Sequence, residues 1–217
     1  MSALSKLVGN SQPWLDFADR YPVKVKQLNT TNKITDQIYK DIHEAGDAFR
    51  GRTPAKCLMT RWNMHDDYDT FRVIGAAAIE VANSCPLSKR TKPDGSPDVI
   101  PLYIKESWGL LYGKDQTCEE HNHWPSLWSY TYCVSACKKC APLIFVNSEE
   151  RDDEGTPFHV YPETGLLIVF PAWLNHAVPK QECEHSEHTR IMIAGNLNMR
   201  ETVGSKLMVA GTDIRVR

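Results

Sequence analysis

The sequence predicts a mainly β fold, a jelly-roll barrel buttressed by N-terminal helices. Three observations predict it. The apolar residues recur at helical period before residue 100 and at strand period after it. Several of the later segments are apolar on both faces, as a strand is when a barrel interior lies on one side and helices on the other. No alternation of strand and helix runs along the chain, which sets aside a doubly wound α/β architecture.

The elements follow in order. Asn32 can cap a helix whose apolar face is Ile34, Ile38, Ile42, Ala45 and Phe49. A second helix runs from about Asp66, with Phe71, Ile74, Ala78 and Val81 turned inward and Pro86 just past its end. The stretch 87–101 is rich in Lys, Pro, Gly and Asp and reads as a loop. Six strands are then expected, at Leu102–Tyr112, Leu127–Ala136, Leu143–Val146, Phe158–Tyr161, Gly165–Phe170 and Thr189–Asn198. Helices first and short strands afterwards make a barrel with a helical layer. The 217 residues are enough for one core, so a single domain is expected: 1–100 as mostly helical support, 101–200 as the barrel.

The bulk numbers exclude some functions. A formal net charge of −2 offers no general attraction to nucleic acid or anionic lipid. No apolar run reaches the length of a membrane span, and residues 1–13 lack a secretory apolar core, so a cytoplasmic location is expected. Seven cysteines, an odd number, read as reduced thiols in such a compartment.

Three of the eight histidines sit where a metal site would want them. His121 and His123 form H-x-H, and residues two apart on an extended strand point the same way. His176 follows an apolar strand and a short turn (GLLIVFPAWLNH), and Arg190 opens the last apolar strand (TRIMIAGNL). An isolated H-x-H is a weak signal, and its placement beside strands gives it weight.

The chain resembles the 2-oxoglutarate/Fe(II) dioxygenases, particularly the small prolyl-hydroxylase-like oxygenases of marine bacteriophages. The matching pieces are ESWGLLY, HNHWPSLWSYTY, APLIFVN, GLLIVFPAWLNHAVPK and RIMIAGNL, with MTRWNMH upstream. The resemblance implies a double-stranded β-helix with Fe(II) at its open end, bound by His121, His123 and His176. It implies 2-oxoglutarate as cosubstrate and O2 as oxidant, giving succinate and CO2 and hydroxylating a C–H bond. A phage-encoded copy would work in the host cytoplasm. Arg190 matches the arginine that grips the far carboxylate, a task suited to its planar fork. Two positions depart from the family's pattern. Many relatives carry H-x-D, so here the iron site is either all-histidine or completed by a nearby acid such as Glu120. Met192 stands where many relatives place a serine and cannot donate a hydrogen bond. Tyr132 is the expected replacement donor.

The cysteines suggest a second site. Cys137 and Cys140 form C-x-x-C, and Cys183 and His185 form C-x-H. In a double-stranded β-helix the strands leading to both segments run away from the open end, so both should meet at the closed end. Three thiolates and an imidazole suit structural Zn(II); His188 is the alternative fourth ligand. Two other functions compete with the oxygenase. A tri-histidine zinc enzyme explains the histidines and leaves Arg190 without a task. A catalytically silent binding or virion-associated β-helix leaves all four residues without one.

Overall fold

In the computed structural model the described residues are 23–30, 32–49, 51–146, 158–183 and 190–200. Twelve strands and three α-helices occupy them: β1 Lys24–Gln27, α1 Asn32–Ala45, β2 Leu58–Met59, α2 Met64–Asp67, α3 Asp69–Ser84, β3 Lys89–Thr91, β4 Pro97–Val99, β5 Leu102–Tyr112, β6 Cys118–His121, β7 Trp128–Ser135, β8 Leu143–Phe145, β9 His159–Val160, β10 Leu166–Pro171, β11 His176–Val178 and β12 Arg190–Met199. A six-stranded sheet in the order β1-β10-β7-β12-β5-β2 faces a four-stranded sheet in the order β6-β11-β8-β9. This is the expected double-stranded β-helix.

Both faces of the large sheet are apolar, for the reason given by the sequence. On the inner face, Trp108, Leu110 and Tyr112 of β5, Cys133 of β7, Ile168 and Phe170 of β10 and Met192 and Ala194 of β12 pack with Cys118, Leu143, Phe145 and Val178 of the small sheet. On the outer face, Tyr130, Tyr132 and Val134 of β7, Leu167 and Val169 of β10 and Ile191 and Ile193 of β12 pack against Ile38, Ile42, Phe71, Ile74 and Ala78 of the helices. Gly109 lets α1 approach β5 closely, since a Cβ there would lie 2.4 Å from the Ile42 side chain. Buried Asp41 of α1 fastens the helical layer, accepting hydrogen bonds from Gln37 (2.7 Å) and from Thr70 at the start of α3 (2.6 Å).

Four expectations need correction. Phe49 does not belong to α1, which stops at Ala45 with Gly46 left-handed behind it (φ 66°); its ring stacks on Trp62 instead. Ile34 is 37% exposed, because α1 turns only Ile38 and Ile42 fully inward. The second helix is two helices, broken at Tyr68, whose backbone is extended. The segment 87–101 contains the β3-β4 hairpin, turned at Asp94-Gly95, where Gly95 adopts φ 83°. That hairpin is exposed and has no apolar alternation, so periodicity could not find it. The short β1, β2, β6 and β11 also escaped, and two of them close the large sheet at its edges.

Candidate metal centre and cosubstrate pocket

The register of two short strands brings the first two histidines together. His121, the last residue of β6, is the direct cross-strand partner of His176, the first residue of β11. Antiparallel partners project to the same side, so their rings lie 4.4 Å apart, centre to centre. His123 lies in the loop after β6, where its backbone N–H donates to Ala172 O at 2.8 Å. Its ring is 4.8 Å from that of His121 and 5.1 Å from that of His176. Ligand atoms of the three rings all lie within 4.8 Å of one another.

Their protonation suits a metal. His121 Nδ1 pairs with Glu119 O at 2.8 Å and His176 Nδ1 with Leu174 O at 2.9 Å. A carbonyl can only accept, so each Nδ1 carries the proton and each Nε2 keeps its lone pair. Burial lowers the pKa of all three, with the neighbouring imidazoles adding to the effect for His123, at about 2, and His176, at about 3. Three neutral imidazoles thus converge.

Glu120 does not complete the set. It alternates to the other side of β6 from His121, and its carboxylate accepts from Asn175 Nδ2 at 2.8 Å. Asn175 in turn accepts from Asn122 at 2.8 Å, so this exterior chain braces the two histidine-bearing strands. The site among the described residues is all-histidine.

The same cavity, about 260 Å³, runs from the histidines into the barrel and reaches Arg190. Arg190 is 2% exposed. Its Nη1 donates to Ala141 O, its guanidinium carbon lies 5.0 Å from the centre of the Tyr112 ring, and its Nε has no hydrogen-bond partner among the described residues. No described carboxylate pairs with it. A buried cation with a vacant donor is costly unless an anion enters.

Tyr132 is not that pocket's second donor. It occupies the outer face of β7, packs in the helical core, and its hydroxyl hydrogen-bonds Thr30 at 2.7 Å. Its neighbours Thr131 and Cys133 face the cavity instead. The residue missed was Tyr112, which lies directly opposite Arg190 in the β5-β12 register and lines the pocket. Complete burial, with the adjacent Cys118 and Cys57 thiols, holds its phenol well above the ordinary value, so it stays a donor. The strand ending at Tyr112 was visible in the sequence; its register against Arg190 was not.

At the far end of the barrel, Cys137, Cys140 and Cys183 come together as expected, with their sulfurs within 4.8 Å of one another. His185 and His188 lie outside the described residues.

Residues 106–196 match the family model described as "Putative 2OG-Fe(II) oxygenase". The match takes in 91 of the 217 residues and is a likeness over that stretch. The match runs from β5 to β12 and takes in all three histidines and Arg190. Solved structures agree on the fold. A Pseudomonas putida prolyl-4-hydroxylase is 14% identical with a TM-score of 0.56, over 84% of this chain and 95% of that one. The viral collagen prolyl hydroxylase of Paramecium bursaria Chlorella virus-1, solved with 2OG, is also 14% identical at a TM-score of 0.56, over 81% and 94%. HygX from Streptomyces hygroscopicus, solved with nickel and 2-oxoglutarate, is 12% identical at 0.58, over 87% of each chain. No curated protein sequence matches the chain.

Proposed function

We propose that the chain is a single-domain, 2-oxoglutarate-dependent dioxygenase that hydroxylates a C–H bond, with Fe(II) held by His121, His123 and His176. The observation that carries this reading is the pairing of two features in one cavity: three convergent neutral imidazoles, and a buried arginine with a vacant donor. Imidazole suits ferrous iron, and an all-neutral ligand set leaves the metal's full positive charge for an anionic cosubstrate. When bound, iron supplies the activation of O2, coupled to oxidation of 2-oxoglutarate to succinate and CO2.

The chain's own residues do the rest. The carbonyls of Glu119 and Leu174 fix the imidazole tautomers. Arg190 offers its free Nε–H, and Tyr112 its phenolic O–H, to the distal carboxylate of 2-oxoglutarate. Met192, Leu166, Ile168 and Phe170 line the same cavity and keep water from the reacting centre. Trp62 lines the cavity, rests on Phe49 and is 46% exposed, which suits it to meet the molecule being hydroxylated. That molecule is a protein side chain, a nucleobase or a small metabolite. No helix among the described residues is long and apolar enough to cross a membrane. A cytoplasmic location is part of this reading, and seven cysteines read as reduced thiols agree with it.

Anaerobic titration with Fe(II) and then 2-oxoglutarate tests the reading. A metal-to-ligand charge-transfer band should appear only when both are present, and admission of O2 should yield succinate. Zinc binding with neither band nor succinate would favour the tri-histidine zinc enzyme. Binding of neither metal nor 2-oxoglutarate would leave a silent β-helix module.

A further inference from the structure

The three cysteines lie in two segments that the oxygenase chemistry does not use. Cys137 and Cys140 close a turn just after β7, with Cys140 N–H donating to Cys137 O at 3.0 Å. Cys183 comes from a segment 43 residues further on, after β11. Cys140 and Cys183 are almost wholly buried, and Cys137 is partly so. Cys140 Sγ lies 3.6 Å from Cys137 Sγ and 4.0 Å from Cys183 Sγ. Zinc–sulfur bonds of 2.3 Å at tetrahedral angles separate the sulfurs by ~3.8 Å. Both distances sit beside that value, and neither approaches the ~2.05 Å of a disulfide. A disulfide would also join only two of the three clustered thiols.

We propose that Cys137, Cys140 and Cys183 bind one structural Zn(II), which locks the closed end of the barrel behind Arg190. The three thiols release their protons to solvent on binding, and the fourth position falls to water or a further donor. Lys138 and Lys139, exposed on the turn, offset the negative charge of a tris-thiolate zinc.

The position of this cluster gives it a second effect. Ala141, the residue after Cys140, accepts from Arg190 Nη1 through its carbonyl and donates from its N–H to Gln181 Oε1 at 3.1 Å. Gln181 is fully buried, two residues before Cys183, and its backbone exchanges hydrogen bonds with Asp115 and Gln116 at 3.0 and 3.1 Å. The metal would therefore hold both segments whose groups fix one side of the guanidinium. Ala141 is a positioning residue for Arg190. This coupling rests on the reading of Arg190 as the cosubstrate anchor; the zinc site itself does not.

Metal analysis should be made on the His176→Ala protein, purified without added metal, so that the histidine site does not hold the ion counted. About one zinc per chain is expected, released by a mercurial thiol reagent and absent from the further variant Cys140→Ser. Replacement by Co(II) in the intact protein should give a thiolate-to-Co(II) charge-transfer absorption, which three imidazoles cannot produce. This measurement decides the matter even where Cys140→Ser fails to fold. A zinc-free protein with all seven thiols titratable overturns the site, and so does a mass two hydrogens low from a Cys137–Cys140 disulfide. For the coupling, stripping the zinc should raise the apparent 2-oxoglutarate constant severalfold at unchanged Fe(II) affinity. An unchanged constant in zinc-free, iron-loaded protein overturns the coupling and leaves the zinc site standing.

Discussion

The barrel has at each end a triad of residues that could hold a metal ion, and the two are built differently. At the mouth, His121 and His176 are cross-strand partners in the β6-β11 ladder, whose register shifts between His176 and Val178, and backbone carbonyls hold their ring tautomers. At the floor, Cys137, Cys140 and Cys183 hang on a turn and on a segment between strands, outside any ladder. A site on paired strands is held in position by the fold itself. One on connecting segments takes part of its order from whatever binds it. Losses at the mouth should therefore remove chemistry at little cost in stability, whereas losses at the floor should do the reverse.

The largest expected effect is at the mouth. His121→Ala, His123→Ala and His176→Ala should each abolish most Fe(II) binding and lower succinate formation by more than the ~10–100-fold typical of a lost supporting residue. Full Fe(II) affinity in His123→Ala would mean that only two histidines bind the metal. His123→Asp sharpens the point, since it restores the commoner two-histidine, one-carboxylate set and should keep or raise succinate yield.

Next comes Arg190, which belongs to both ends. Arg190→Ala should raise the apparent 2-oxoglutarate constant at least about tenfold, ~1.4 kcal/mol or more, with Fe(II) binding near normal. An unchanged constant would place the cosubstrate elsewhere.

At the floor, Cys137→Ser with Cys140→Ser should lower the melting temperature by about 5 °C, equivalent to ~2 kcal/mol in a chain of this size, while Fe(II) still binds. A melting temperature equal to the parent's would erase the contrast between the two ends.

The smallest effects separate two tyrosines. Tyr112→Phe removes one hydrogen bond to the cosubstrate, ~1 kcal/mol, and should raise its constant about fivefold. Tyr132→Phe removes the bond to Thr30 and should lower stability by ~1 kcal/mol while leaving that constant alone. If Tyr132→Phe shifts the 2-oxoglutarate constant and Tyr112→Phe does not, the two faces of the large sheet have been assigned the wrong way round.

What the sequence by itself determined were the features written in local pattern. The long strands β5, β7, β10 and β12, the helical layer and the two-sided apolar strands follow from periodicity, because burial on one or both faces leaves a mark at every second or third residue. The three histidines and Arg190 were legible from spacing and order; the meeting of Cys137, Cys140 and Cys183 followed from strand directions in the double-stranded β-helix that the resemblance implied. Tertiary structure alone decided the register. It set Tyr112 opposite Arg190 and turned Tyr132 toward the helices, a distinction of one residue along a strand that reverses which face a side chain occupies. It also turned Glu120 outward to Asn175, leaving an all-histidine set where the sequence had allowed a carboxylate. Strands such as β6 and β11, four and three residues long, carry too little pattern to be read locally. They exist because neighbouring strands complete their hydrogen bonds, and on them the first and last of the three histidines meet.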